Sequence, residues 1–512
     1  MRHLKVISSE EMKTLERLTE ESFKIPASFL MERAGLAVVL ALEQEFGELS
    51  NRSFLVLCGT GNNGGDGLVV ARNLLDHTDM VSCVVVGEEE KMTSLTRENF
   101  ERLKSLGVDI KKLGVDIDLD GLAELIKESD VVIDALLGTG TRGEVKNPIL
   151  DVIKLVNLYA SYVVSVDLPS GVECDTGKVL GMAVRANLTV TFAFPKPCHV
   201  LFPGRELTGK LKVASIGIPR VLCESMNLRR NIVTKGMVKK ILPERKKDSH
   251  KKTFGSLLVI AGSRRYLGAP VLTCLGALRA GCGYVRLLSC EEVGKLAVGR
   301  EPGLVFTAIE ADSFSPKDID TALKLAQESD AIVLGPGLTD EPSVCEFVVN
   351  FLKQVEKPIL IDADGLNCLS RDLSVLDSLS APIVMTPHPG EFARLVKQPV
   401  EQVKYNYVLA EQFAHRYGVI LVLKGATTIV TDGKNTYYNL TGNTSLAKAG
   451  SGDVLAGVIG GFLAQGVTPL EASILGVYIH GLASEKYSTC EGTMLVSELL
   501  DLIPYAIEEV AR

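Results

Sequence analysis

Short β-branched runs, each followed by a glycine-rich turn and a helical stretch, recur along this chain and restrict it to folds built on parallel sheets. Phe54-Leu-Val-Leu-Cys58, Val81-Ser-Cys-Val-Val-Val86, Val131-Val-Ile-Asp134 and Tyr162-Val-Val-Ser-Val-Asp167 form a first series. A second comprises Ser256-Leu-Leu-Val-Ile260, Ala331-Ile-Val-Leu334, Pro358-Ile-Leu-Ile-Asp362, Ile383-Val-Met-Thr386 and Val419-Ile-Leu-Val-Leu423, and ends in a glycine- and alanine-rich helical region. Such alternation marks βαβ units, whose ligands bind beyond the carboxyl ends of the strands. A length of 512 residues exceeds what one hydrophobic core usually supports. The expectation is an α/β protein of two domains, residues 1–224 and 225–512. Lys239, Lys240, Arg245, Lys246, Lys247, Lys251 and Lys252 crowd near Pro243 and read as a solvated junction, with a basic rim for a phosphate-bearing substrate as the second reading.

Charge and composition remove several function classes. A net charge of -8 gives no general attraction to nucleic acid or anionic membrane. The 11 cysteines show neither a CxxC pair nor zinc spacing, so they read as reduced, mostly buried thiols. The charged N-terminus lacks the apolar core of a signal peptide, and no apolar run reaches about 18 residues, so a cytoplasmic protein is expected. Leu15, Leu18 and Phe23 stand near helical spacing and suit either an interface or ordinary core.

The sharpest signal in the second half is Ala449-Gly-Ser-Gly-Asp453, which opens an apolar helix. Glycines at such a helix start let backbone N–H groups converge on an anion that the helix dipole also favours. Asp453 beside that anion hole can accept a proton from an attacking hydroxyl, although a glycine-turn cap has the same appearance. Other strand ends add polar groups: Asp362-Ala-Asp-Gly-Leu-Asn367 with carboxylates suited to magnesium, Thr386-Pro-His-Pro-Gly-Glu391 with His388 at a rigid turn, and Lys424-Gly-Ala-Thr-Thr428 with an ammonium group for nucleotide phosphates.

Together with Ala261-Gly-Ser263, Gly268-Ala-Pro270 and Leu334-Gly-Pro-Gly337, these segments resemble, in order, the NAD(P)H-hydrate dehydratases of the ribokinase superfamily. The resemblance implies a ribokinase-like fold in which ADP or ATP, with Mg2+, phosphorylates the hydroxyl of a hydrated nicotinamide ring, after which phosphate leaves and NAD(P)H is restored. It further implies that Asp453 is the catalytic base, that Ala269, Gly337, His388 and Asp453 line the hydrate site, and that Lys424, Gly425, Ala426, Thr427, Thr428 and Gly452 hold the nucleotide. The lean is to ADP.

In the first half, Cys58-Gly-Thr-Gly-Asn-Asn-Gly-Gly-Asp-Gly67 and Gly138-Thr-Gly-Thr-Arg-Gly143 each contain a GxGxxG, which raises a dehydrogenase with Glu88 or Asp167 as ribose ligand. Asp66 at the helix start opposes that reading, because a carboxylate there repels a pyrophosphate. The preferred reading has Asn63, Asp134 and Ser170 converge on a hard cation and places Asp167 at a strand tip as a proton carrier, against a simple turn carboxylate. GNNGGDG, DALLGTG and VDLPSG, in that order, resemble the YjeF N-terminal family of NAD(P)H-hydrate epimerases.

That likeness implies a Rossmann-like domain, so that the whole is two three-layer α/β/α domains. It implies interconversion of the R and S hydrates, NADHX and NADPHX, with Asp167 catalytic. Asn62, Asn63, Gly64, Gly65, Asp66, Gly138, Thr139, Gly140, Thr141, Arg142, Gly143, Glu144 and Asp167 would bind substrate, with potassium at Asn63, Asp134 and Ser170. It also suggests a homo-oligomer, a tetramer being one form. The competing expectation is a vitamin or sugar kinase fused to a binding module, since the same anion hole serves ordinary phosphoryl transfer.

Overall fold

The computed structural model describes residues 5–512, and the chain divides into two compact units, Met1–Leu228 and Arg229–Arg512. The first contains β1 (Lys5–Val6), β2 (Phe54–Cys58), β3 (Val81–Val85), β4 (Ile110–Lys112), β5 (Val131–Ala135), β6 (Val163–Val166), β7 (Leu188–Phe192) and β8 (Lys210–Ala214). From β2 onward these strands make one sheet in the order β4-β3-β2-β5-β6-β7-β8, with every neighbouring pair parallel.

β2 is apolar and buried throughout, as a strand covered on both faces must be. Its two-residue period divides it between two cores. Phe54, Val56 and Cys58 join one with helices Ser9–Phe23, Ala27–Phe46, Asn62–Leu74 and Ser94–Ser105, whereas Leu55 and Leu57 join another with helices Leu119–Glu128 and Ile149–Tyr159. Three layers result. Leu15 and Leu18 pack into the first core, while Phe23 remains 40% exposed. The strand order reverses between β2 and β5, which opens the crevice where an open α/β sheet takes its ligand.

The second unit contains β9 (Arg230–Ile232), β10 (Ser256–Ile260), β11 (Tyr284–Ser289), β12 (Val305–Ala308), β13 (Ala331–Leu334), β14 (Ile359–Ile361), β15 (Ile383–Met385), β16 (Ile420–Leu423), β17 (Thr428–Thr431) and β18 (Thr436–Asn439). Its strands run β9-β18-β17-β16-β15-β14-β13-β10-β11-β12 across the sheet, parallel from β16 to β12, with β17 antiparallel to both neighbours. Helices Gly268–Arg279 and Ser451–Ala464 press together so closely that a Cβ on Gly457 would lie 2.0 Å from Thr273 O. Glycine at that contact lets the two helices meet backbone to backbone.

One expectation is corrected. Cys345 and Cys368 form a disulfide because helices Pro342–Leu352 and Asp364–Leu369 bring their Cα atoms to 4.8 Å, a proximity invisible in their spacing of 23 residues. The basic residues near Pro243 are solvent-exposed and belong to the second unit, where helix Lys235–Ile241 buries Val238 and the Arg245 guanidinium donates to Gly281 O and lies 3.8 Å from the Phe254 ring centroid.

Candidate active sites

In the first unit, the turn after β2 folds against the end of β5. A Cβ on Gly59 would stand 2.0 Å from Leu136 O, and one on Gly64 would stand 1.9 Å from Gly59 O, so glycine is required at both places. Helix Asn62–Leu74 begins there, and Asn63 Nδ2 donates to Leu137 O at 3.0 Å. Asp134, in β5, is fully buried. Its carboxylate accepts from Ser170 Oγ at 2.5 Å, Ser170 N at 2.9 Å and Ser165 Oγ at 2.8 Å, and Ser170 Oγ accepts from Leu137 N at 2.9 Å.

Asn63, Asp134 and Ser170 therefore meet around Leu137. Burial raises the Asp134 carboxyl, the Ser170 bonds oppose that rise, and among the described residues no cationic side chain pairs with it. A buried carboxylate among neutral oxygens suits a hard cation of low charge.

Asp167 lies just beyond β6 with φ of 67°, a left-handed conformation unusual outside glycine and characteristic of functional turns. Its Oδ1 receives Lys196 Nζ at 2.5 Å and Thr191 Oγ1 at 2.8 Å. Lys196 is itself fully buried and also donates to Phe192 O at 3.1 Å. Burial would raise the Asp167 carboxyl, but Lys196 and the other donors outweigh it and leave the group below its ordinary value. Asp66 behaves oppositely: burial, then Asp167 and Glu16, hold its carboxyl well above the usual range. Glu16, on helix Ser9–Phe23, is raised to about 6 by its surroundings and by Asp167.

Sequence reading missed Lys196, His199 and Glu16. The Phe192-Ala-Phe-Pro-Lys-Pro-Cys-His199 segment after β7 was the available signal, a lysine and a histidine held by prolines at a strand end.

The Gly138–Glu144 loop touches this cluster at Gly138, where a Cβ would be 3.0 Å from Asn63 Cβ. Thr141 Oγ1 donates back to Gly138 O at 2.9 Å, and Arg142 turns to Ser9 Oγ at 3.0 Å and Asp175 at 3.3 Å. Gly140, Gly143 and Glu144 are exposed, and Asn62 accepts from Thr93 Oγ1 at 2.7 Å. Glu88, the alternative ribose ligand, is exposed and ion-paired with Lys91 at 2.9 Å.

In the second unit, Gly450 with φ of 93° starts helix Ser451–Ala464, and Asp453 stands in its first turn. His480 is buried and its Nε2 lies 2.9 Å from Ser451 O, a support for the helix start that the sequence did not suggest. Lys424, at the end of β16, is not a surface lysine. Its Nζ donates to Asp362 Oδ1 at 2.8 Å, lies 3.9 Å from Glu391 Oε2, and stands 3.4 Å from where a Gly452 side chain would begin. Asp362 also accepts from Thr386 Oγ1 at 2.8 Å, whereas Asp364 accepts from Thr339 N at 2.9 Å and Asn367 Nδ2 at 3.2 Å.

Asp453 is pushed up to about 7 by burial and by Asp362, Asp364 and Glu391, with Lys424 acting in the opposite sense. A carboxylate poised there is matched to taking and returning a proton near neutrality.

His388 caps helix Pro389–Val396: its Nδ1 accepts from Gly390 N at 3.0 Å, its backbone N donates to Glu391 Oε2 at 2.7 Å, and its Nε2 lies 3.5 Å from Glu391 Oε1. Gly337 has φ of 68°, and a Cβ there would lie 2.8 Å from Tyr266 Cβ and 3.5 Å from Ala269 Cβ, which brings Gly337 and Ala269 to one wall. Gly425 and Ala426 form the exposed tip between β16 and β17; Thr427 is buried, and Thr428 Oγ1 donates to Gly425 O at 3.2 Å.

Comparison with known proteins agrees with this division. Residues 27–198 match the family model described as YjeF-related protein N-terminus, and residues 257–505 match that described as NAD(P)H-hydrate dehydratase. A bifunctional NAD(P)H-hydrate repair enzyme of Moorella thermoacetica is 38% identical over 99% of this chain and 97% of its own length. One from Thermofilum pendens is 39% identical over 94% of this chain and 92% of its own. A ribokinase-like superfamily protein from Enterococcus faecalis superposes with a TM-score of 0.50 at 25% identity, covering 55% of this chain and 96% of its own. With relatives this similar over the full length, the chain belongs to the family of bifunctional NAD(P)H-hydrate repair enzymes.

Proposed function

We propose that this protein repairs hydrated NADH and NADPH in two steps. Residues 1–224 interconvert the R and S hydrates. Residues 225–512 dehydrate the S form at the expense of ADP or ATP, releasing phosphate with AMP or ADP. The observation that carries the reading is Asp453, a carboxyl raised to about 7 at a helix N-terminus and beside a partly buried lysine.

In this reading Asp453 removes the proton from the hydrate hydroxyl as that oxygen attacks the terminal phosphoryl group, whose charge the helix amides and Lys424 receive. Ala269, Gly337 and His388 line the hydrate site, while Lys424–Thr428 and Gly452 hold the nucleotide. The carbon–oxygen bond then breaks toward phosphate, and the ring nitrogen's electrons restore the reduced ring. Mg2+ would screen the nucleotide phosphates, with Asp364 the carboxylate that no lysine neutralises among the described residues.

In the first unit Asp167 moves the proton, the Asn62–Asp66 turn and the Gly138–Glu144 loop hold the cofactor, and Asn63, Asp134 and Ser170 take potassium. Bound potassium would balance the Asp134 charge and stiffen both turns. Substrates drawn from the cell's pool of reduced nicotinamide cofactors put the work in the cytoplasm, and a homo-oligomer, with a tetramer among its forms, is to be tested by light scattering.

The full chain incubated with S-hydrate of NADH and ADP or ATP should regain the absorbance of the reduced ring. Accumulation of a stable phosphorylated product would replace this reading with the kinase one.

A further inference from the structure

The first unit holds two carboxyl groups, Asp66 on helix Asn62–Leu74 and Asp167 beyond β6, and burial and then the charge of Asp167 raise the Asp66 carboxyl. One cation separates them in kind. Lys196 Nζ bonds Asp167 Oδ1 at 2.5 Å and Thr191 Oγ1 at 2.8 Å, and the whole lysine is buried. We propose that Lys196 is the positioning residue that sets the direction of proton transfer in the epimerase half, by holding Asp167 as the base and leaving Asp66 as the acid. The inference rests on the assignment of Asp167 to that half's chemistry.

His199 completes the arrangement. Its Nδ1 accepts Lys196 N–H at 3.0 Å, so the proton sits on Nε2, which donates to Asp167 O at 3.0 Å. This pair of bonds ties the lysine's backbone to the backbone of Asp167 and holds the left-handed turn in place. Glu16 and Cys198 also face Asp167 electrostatically, and Lys13 faces Glu16. Lys196 is the cation bonded directly to the carboxylate. Two titratable groups whose surroundings drive them apart are the usual mark of an acid and base pair.

The chemistry demands both roles. The hydrate carbon carries a hydroxyl and the ring nitrogen, so it is a hemiaminal. Asp167 takes the hydroxyl proton as the carbon–nitrogen bond opens to an aldehyde; the bond's electrons stay on nitrogen, and Asp66 supplies its proton. Rotation about the freed carbon–carbon bond and closure on the other face return both protons. No oxidant or co-reactant enters.

The test is R-to-S conversion by the full chain without nucleotide, followed chromatographically between pH 5 and 9. The parent should be flat at the acid side and decline at the alkaline side. Lys196→Met should bring an acid limb into the range above pH 5 and lower kcat by at least tenfold, with KM within threefold; Lys196→Arg should remove that limb again. Asp66→Asn should erase the alkaline decline and lower kcat at least a hundredfold, with partial recovery in Asp66→Glu. If Lys196→Met does not fold, Lys196→Gln, which keeps a polar group on Asp167 without the charge, is read in its place, and the part-exposed Asp66 variants test the acid role. Unmoved limbs in these variants overturn the inference, while an active Asp167→Asn protein instead overturns the assignment on which it rests.

Discussion

Asp453→Asn should inactivate the dehydratase and stabilise the protein. The substitution keeps the shape of the side chain and removes a negative charge from the company of Asp362, Asp364 and Glu391. The gap between the ordinary value of 3.8 and about 7 corresponds to a cost on the order of 4 kcal/mol for ionising Asp453 in the folded protein. The residue is only part-buried, and solvent screening reduces this to about 1–2 kcal/mol.

The sign follows from proton binding. Between pH 4 and 7 the folded state holds a proton that the unfolded state has lost, so parental stability falls as pH rises through that window. Below pH 4 both states are protonated and the variant gains nothing. At pH 8 the variant's calorimetric transition for the second unit should lie higher by about 2–5 °C, while S-hydrate turnover falls by about 10²–10⁴. Parental turnover itself should fall about tenfold per pH step below 7. A variant as active as the parent, or one that melts no higher at pH 8, would refute the reasoning.

Lys424→Met removes the cation that holds Asp453 down, so the acid limb of dehydration should move up by about one pH while kcat drops at least tenfold, read from a pH–rate profile. Gly457→Ala puts a Cβ 2.0 Å from Thr273 O, a backbone atom that cannot step aside; a loss of about 1–3 kcal/mol should appear in urea unfolding. Asp134→Asn removes the one carboxylate of the proposed potassium site, and R-to-S conversion should lose its dependence on potassium when the salt is exchanged for tetramethylammonium.

Strands buried on both faces were legible because covered parallel strands read as unbroken apolar runs: β2, β5, β10 and β13 stand where such runs predict them. β17 and β18 did not announce themselves, since Thr428–Thr431 and Thr436–Asn439 mix threonine, tyrosine and asparagine at an antiparallel hairpin. The anion hole and Asp453 were visible because glycine spacing dictates local backbone geometry. Lys196 was not. Its partner lies 29 residues away, and only the packing of the segment after β7 against the end of β6 turns a lysine between two prolines into the counter-charge of Asp167.

The two halves use the same pair of residue types to opposite ends. In the first, the buried lysine bonds Asp167, the carboxylate proposed to move the proton, and burial's upward push is outweighed so that the group stays below its ordinary value. In the second, burial raises Asp453 most, and Lys424, claimed by Asp362 at 2.8 Å, offsets it only in part while three carboxylates add to the rise, so Asp453 reaches about 7. A base for a hemiaminal proton can remain weak, because the hydroxyl opens with help from the neighbouring nitrogen. A base for a hydroxyl attacking a phosphoryl group must hold its proton near neutrality and then release it. Which carboxylate the lysine bonds therefore decides how far burial's upward push is offset at each site, a property of pairing that residue composition alone does not contain.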